Sequence, residues 1–274
     1  MVSTHDKTNA QPAAIAEDDP AELTQDEKID KLLEEVHERP SFRLFAFFAI
    51  TFGENATGYW FFMLSYLTMM PKYKNCVFAD SQLTEKDCTY DNICDGGKVI
   101  SYEVDWDNMY SLHNWVEKLD LTCKPSWKLG LIGSMVFVGW FCTLPWLPRL
   151  SDMYGRKKIL IFGMFGDLLL FIAMYLANSF VLMLIVMFLF GCLTTIRLNI
   201  SFVYLMELFP KKYQSFYASA FCTLDSMQLF LATMYFWFIS KHWFYFTIIG
   251  LVMQIYNCIT ILFIPESPRL LIEL

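Results

Sequence analysis

The length of its apolar runs constrains this chain more than anything else. Six segments, at about 42–70, 128–148, 159–178, 180–206, 214–240 and 243–264, each hold twenty or more mostly apolar residues. The hydrocarbon core of a bilayer needs about 20 such residues per helix. A buried strand is far shorter, so a β reading fails on length. The chain reads as an all-α membrane protein with six transmembrane helices. The first run is not a signal peptide, because it follows forty polar residues, is too long and lacks a small-residue cleavage site.

Charge placement gives the sidedness. The short loops on one face carry Arg149, Arg156, Lys157, Lys158, Lys211 and Lys212, with Arg269 after the last run; those on the other carry only Lys241. Lys/Arg-rich loops stay in the cytosol. Both termini, the 149–158 loop and the 207–213 loop are therefore expected there. The polar segment 71–127 then faces outward or into a lumen, and it holds Cys76, Cys88, Cys94 and Cys123. In an oxidising compartment four cysteines suggest two disulfides, with three possible connectivities. A zinc site is the rival, but the spacings lack the paired form of a zinc motif. Cys142, Cys192, Cys222 and Cys258 fall inside the runs and read as small apolar fillers. Residues 1–40 form a cytosolic tail in which 23–38 has one apolar helical face, with Thr24 and Glu27 placed for a capping box.

Other function classes are excluded on composition and motif. The net charge of −7 arises within residues 1–40, and the remainder is neutral. No surplus of cations exists to neutralise nucleic-acid phosphates. There is no P-loop, no H-E-x-x-H and no G-x-S-x-G. The four histidines, His5, His37, His113 and His242, are scattered. No enzyme, metal site or cofactor is expected. Sequons at Asn55 and Asn199 fall within spans, where glycosyl transfer does not reach.

Ionisable residues deep in a span are functional candidates by default. Glu54 lies eleven residues from Arg43, Arg197 ten before Glu207, and Asp225 eleven after Gln214. At about 1.5 Å per residue each lies roughly 15–17 Å from its cytosolic helix end. All three share a depth near the midplane. They can line a wet transport path, or form a structural ion pair whose third member is satisfied by water or a partner. Tyr59 and Tyr204, on spans that carry these charges, offer faces for cation–π binding. Gly130, Gly133, Ser134 and Gly139 in the second span suit close helix contact.

Three short stretches then carry a resemblance. The loop PRLSDMYGRKKIL places Asp152, Gly155, Arg156, Lys157 and Lys158 in the pattern G-x-x-x-D-R-x-G-R-R/K-R/K, with Pro148 and Met153 as departures. MELFPKKYQ matches E-x-x-P-x-x-x-R at Glu207 and Pro210, with Gln214 in place of the arginine. IPESPRLL matches P-E-S-P-R-W/Y-L at Pro265, Glu266, Ser267, Pro268 and Arg269. With DKLLEEV at 30–36 and Leu119, Asp120, Leu121 and Cys123 before the second span, the chain resembles the major facilitator superfamily. Within it the likeness is to the organic cation/organic anion transporters. The resemblance implies alternating-access secondary transport of small organic ions, with the three motifs above as cytosolic gating elements and the plasma membrane as location, an organelle membrane being the alternative. It covers the N-terminal six-helix half of a twelve-span molecule. Two readings stay open: a fragment of such a transporter, or a half-length chain completed by a second copy or another membrane subunit. A non-transporting membrane subunit built on a transporter half is the alternative function.

Overall fold

The computed structural model describes residues 25–78, 84–94 and 99–267. Thr24, the expected cap of the tail helix, lies outside them, as do Pro268 and Arg269. In chain order the helices are α1 (Gln25–His37) and α2 (Pro40–Leu67), followed by a small domain. That domain holds β1 (Tyr73–Phe78), β2 (Thr84–Cys88), α3 (Tyr90–Cys94), β3 (Val99–Val104) and α4 (Trp115–Lys118). Then come α5 (Ser126–Thr143), α6 (Leu147–Tyr154), α7 (Arg156–Leu176), α8 (Phe180–Thr195), α9 (Ser201–Leu208), α10 (Lys211–Met234) and α11 (Trp243–Thr260).

Three helical stretches among the described residues are long and apolar enough to cross a membrane: Arg156–Leu176, Phe180–Leu208 and Trp243–Phe263. A fourth is reached if Ser126–Thr143 and Leu147–Tyr154, bent by 50°, count as one broken span. Pro148, in the first turn of α6, has no backbone N–H with which to continue α5 through the bend. The expected count of six is thus met by three or four on length and composition. α2 at 28 residues and α10 at 24 are long enough but too polar. α8 and α9 form one rod through a π-helical turn at Ile196–Ile200.

The 71–127 segment is not an irregular loop. Its three strands pair antiparallel in the order β2-β1-β3, with Tyr73 opposite Cys88 on one side and Val104 on the other. The cysteines pair as Cys76–Cys88 and Cys94–Cys123, with Cα atoms 6.2 and 5.2 Å apart. Both separations lie within normal disulfide reach. Lys74 bonds Asp105 at 2.9 Å and holds that carboxyl below the usual carboxylate range. The domain sits on one end of the bundle through specific contacts. Asn114 caps α4 by accepting from Val116 N (3.0 Å), and its amide donates to the carbonyls of Tyr66 (3.0 Å) and Met69 (2.6 Å) at the end of α2. Lys118 donates to the carbonyls of Met174 (3.3 Å) and Tyr175 (2.7 Å), where the unpaired carbonyls of a helix C-terminus favour a cation. We call this the disulfide end. The basic end holds Arg156, Lys157, Lys158, Lys211 and Lys212.

The closest helix crossing joins α5 to α8. A Cβ on Gly191 would overlap the Val136 carbonyl, and one on Gly139 the Phe188 carbonyl. The small residues of the second span are thus unequal: Gly139 makes the contact, Gly133 would only touch Leu64, and Gly130 faces open space. Cys142 and Cys222 are exposed on the bundle surface, so they are not core fillers; Cys258 is buried.

Candidate functional site

Two apolar cores fill the bundle. One surrounds Trp60 and Trp115 toward the disulfide end, the other Ile50 and Tyr204 toward the basic end. A polar layer separates them on each of five helical rods. On α2 it is Glu54 and Asn55, between Ile50 and Trp60; on α7 it is Asp167, between Met164 and Phe171. Arg197 lies between Phe190 and Ile200, and Gln228 between Phe221 and Ala232. On α11 the layer is Gln254 and Asn257, between Phe246 and Cys258. Every one of these polar side chains is buried.

Arg197 organises the layer. It sits in the π-helical turn, a local feature often found at functional sites. Its Nη2 donates to the Glu54 carbonyl at 2.6 Å and lies 3.5 Å from Glu54 Oε2. Its Nε lies 3.4 Å from Asp167 Oδ2. The Ser201 hydroxyl donates to the Arg197 carbonyl and stands 3.4 Å from Glu54 Oε2. One guanidinium therefore faces two fully buried carboxylates. Each charge would be very costly alone in so dry a place, and the cluster tolerates burial because opposite signs are adjacent. Even so, among the described residues neither Asp167 oxygen makes a hydrogen bond, nor does Arg197 Nη1.

Asp167 is the residue that sequence reasoning missed. It lies eleven positions after Arg156, the same depth that singled out Glu54 and Asp225. Counting from the basic end of the third span would have found it. With it the set becomes three carboxylates and one guanidinium.

Asp225 is half-buried, and among the described residues no cation lies within ion-pair distance of it. It lies close against α2. A Cβ on Gly58 would stand 3.1 Å from Asp225 Oδ1, so the glycine makes room for the acid. Glu54, Arg197 and Asp225 share a cavity of about 160 Å³ with Thr57, Phe61, Phe62, Trp140 and Thr194. The two tyrosines named from sequence are not in its wall. Tyr59 packs on Phe246 with ring centroids 4.8 Å apart. Tyr204 is fully buried toward the basic end, where its hydroxyl donates to the Pro265 carbonyl.

At the basic end the three motifs meet, although more than a hundred residues separate the first from the last. Gly155, at φ 99°, takes a backbone conformation that suits glycine and turns α6 into α7. Arg156 then reaches Asp152 at 3.1 Å and Glu207 at 3.0 Å. Glu207 accepts from the Ser267 hydroxyl at 2.6 Å. Glu266 accepts the Lys157 backbone N–H at 3.0 Å, placing an acid at the N-terminus of α7. Pro210 leads into α10, and Lys211 N donates to Asp30 of α1 at 3.0 Å. Gln214 donates to the carbonyls of Met206 (2.8 Å) and Phe209 (3.2 Å), a neutral cap for the end of α9. Met153 is exposed. Arg269 lies outside the described residues.

Residues 45–274 match the model of the sugar (and other) transporter family. The chain is 25% identical over 171 residues to solute carrier family 22 member 4 of Mus musculus, covering 62% of this chain and 31% of that protein. It is 30% identical over 102 residues to a probable peptide/nitrate transporter of Arabidopsis thaliana, covering 37% of this chain and 21% of that one. The matched part therefore spans less than a third of either relative.

Proposed function

The chain belongs to the sugar (and other) transporter family of the major facilitator superfamily, and from that membership we propose that it moves small organic ions across a membrane by alternating access. In this reading six spans cross the bilayer of the plasma membrane with the basic end in the cytosol. α2 and α10 count as spans because Glu54 and Asn55 of the one and Gln228 of the other turn inward to the polar layer, while the exposed hydroxyls of Ser219, Thr223 and Ser226 on α10 each donate to a carbonyl of their own helix. The observation that carries the reading is the charge excess at the 160 Å³ cavity: Glu54 and Asp225 against Arg197 in its wall, with Asp167 behind the Arg197 guanidinium.

One of Glu54 and Asp167 already balances Arg197, so the set carries two surplus carboxylates, and Asp225 is the one with no ion-pair partner among the described residues. An organic cation fits that deficit, and Phe61, Phe62 and Trp140 add aromatic faces for cation–π attraction. The Arg156–Glu207–Ser267 network is the lock at the cytosolic end. It holds separate helices through charge-assisted bonds that must open for the cavity to face the cytosol. A further six-helix half, a second copy of this chain or another membrane subunit completes the cavity wall.

Proteoliposome uptake tests the reading. The full chain should accumulate a radiolabelled quaternary ammonium ion and ignore a radiolabelled aromatic carboxylate. Asp225→Asn should reduce cation uptake about tenfold or more, the scale of one lost charge-assisted contact. Uptake of the carboxylate instead, or cation uptake unchanged in Asp225→Asn, would overturn it.

A further inference from the structure

The small domain meets the turn between α10 and α11 through three stacked rings. Trp106 and His113 belong to the domain, and His242 belongs to the turn. Ring centroids are 3.8 Å apart from Trp106 to His113 and 4.0 Å from His113 to His242, and the two imidazoles lie within 6° of parallel. Backbone bonds hold the stack in place. His113 N donates to the Lys241 carbonyl at 3.1 Å, and Trp243 N donates to the His113 carbonyl at 3.4 Å. The Lys241 ammonium donates to the carbonyls of Trp106 and Asn108, the second at 2.9 Å. The Tyr235 hydroxyl, in the π-helical turn that ends α10, donates to the His242 carbonyl at 2.9 Å. The helix that carries Asp225 and Gln228 is thus tied to the small domain at this joint.

Histidine is the side chain whose charge ordinarily changes between about pH 5 and 8. Both rings can exchange protons with solvent: the His113 side chain is 30% exposed, and His242 is exposed. Their surroundings are unequal. His113 Nδ1 lies 2.8 Å from Glu117 Oε2. A proton on His113 is answered by that carboxylate and by the indole face of Trp106. Among the described residues no carboxylate lies within ion-pair distance of His242. Its neighbours are the Lys241 ammonium and Tyr245, edge-on with centroids 6.2 Å apart. The acids on the domain's side are engaged: Asp105 and Asp107 bond the Lys74 ammonium at 2.9 and 3.0 Å, and Asp105 also feels Lys241. A proton on His242 therefore faces a protonated His113 across 4.0 Å, with Lys241 beside it and no anion to offset it. Like charges that close repel even where water screens them.

We propose that the Trp106–His113–His242 stack is an acid-sensitive latch. It stays closed while the two imidazoles hold no more than one proton between them. A second proton drives His242 away from His113 and frees the α10–α11 turn from the small domain. The closed joint is thus stable at neutral pH and is lost as pH falls through the second protonation. What it releases is the disulfide end of α10, at the π-helical turn Tyr235–Ile239. The latch links proton concentration on this face to the freedom of the helix that bears Asp225, whatever ion the cavity takes.

Hydrogen exchange read by mass spectrometry tests the latch on the full chain in lipid nanodiscs. Rates are compared at about pH 7.5 and about pH 5.5 after correction for the intrinsic pH dependence of amide exchange. Peptides covering 106–118 and 235–246 should exchange about fivefold faster in acid, while peptides within α8 stay equally protected. His242→Phe keeps a ring against His113 and forbids the second charge, so its joint should stay protected at both pH values. If that variant does not elute as folded protein, His113→Phe, which also leaves a single titrating ring, takes its place. Equal protection of the wild-type joint at both pH values would overturn the proposal. So would acid opening that persists in the ring variant, which would assign the effect to Glu117 or Asp105. Acid opening that extends to α8 would be general unfolding and would overturn it as well.

Discussion

The Arg197 guanidinium stands 3.4 Å from the Asp167 carboxylate, both inside a bundle that exposes almost nothing of either. The two belong to different helices, and among the described residues neither Asp167 oxygen has a hydrogen bond to soften its burial. Electrostatic attraction across α7 and the π-helical turn is what makes both charges tolerable. Glu54 shares the same guanidinium from α2. The polar layer thus ties three rods at one depth, between the two apolar cores.

Removing the cation should be far worse than removing one anion. Arg197→Ala leaves two buried carboxylates without compensation, and breaking a buried pair in this way costs about 3–5 kcal/mol. Asp167→Asn should cost less, because Glu54 still answers Arg197. The double variant Arg197→Ala/Asp167→Asn should regain part of the loss. Thermal unfolding in detergent micelles gives the order: wild type, Asp167→Asn, the double variant, then Arg197→Ala. A double variant no better than Arg197→Ala would mean that the pair is not coupled.

The α5–α8 crossing makes a second contrast, between two glycines that look alike in sequence. Gly191→Ala drives a methyl into the Val136 backbone, and backbone cannot rotate away. Overpacking of that kind costs about 1–3 kcal/mol or more. Gly130→Ala meets nothing within 4 Å and removes a helix-breaking residue, a gain of up to about 1 kcal/mol. The yield of monodisperse protein on gel filtration should fall for the first and hold or rise for the second.

Arg156 has one exposed and one buried partner, and they should not be worth the same. The Asp152 side chain is 62% exposed and Glu207 6%. Asp152→Ala removes a surface pair worth about 0–1 kcal/mol. Glu207→Ala also strands the Ser267 hydroxyl and should cost about 1–3 kcal/mol. Equal unfolding midpoints for the two variants would refute this ranking.

What sequence made legible, and what it did not, follows from the range of the interactions. Apolar runs are local, so the helices of the bundle were visible, with boundaries off by a few residues at the bend before Pro148. The sheet was not visible. β1 reads YKNCVF, without the alternation of a half-buried strand, and its pairing with β3 spans loops rather than a tight turn. Disulfide connectivity is set by that sheet, which brings Cys76 beside β2, and so could not be read from spacing. The cavity charges were found by depth along each helix, a one-dimensional measure. That measure also reaches Asp167, but it carries no information about which face a residue occupies. Tyr204 shows the limit: it is on a charged span yet points to the motif cluster at the basic end.

The midplane carboxylates should differ in the sign of what neutralising them does to stability. Glu54 is fully buried against Arg197 and Ser201, so Glu54→Gln removes compensation that the guanidinium needs. Asp225 is half-buried without an ion-pair partner among the described residues, and its charge is a burden on the folded state. Asp225→Asn keeps the shape beside Gly58 and removes that burden, so it should unfold at the same temperature as wild type or higher. A residue that weakens the fold and is nonetheless present fits a group held ready for a ligand, since activity commonly comes with local instability. Glu54→Gln should unfold earlier by an amount equivalent to about 1–3 kcal/mol. The measurement is a pair of melting curves at neutral pH and one salt concentration, read beside cation uptake. If Asp225→Asn melts well below wild type, the carboxylate is structural and its place in the transport path is lost. If it melts as high and no longer takes up the cation, stability and function have separated at one side chain.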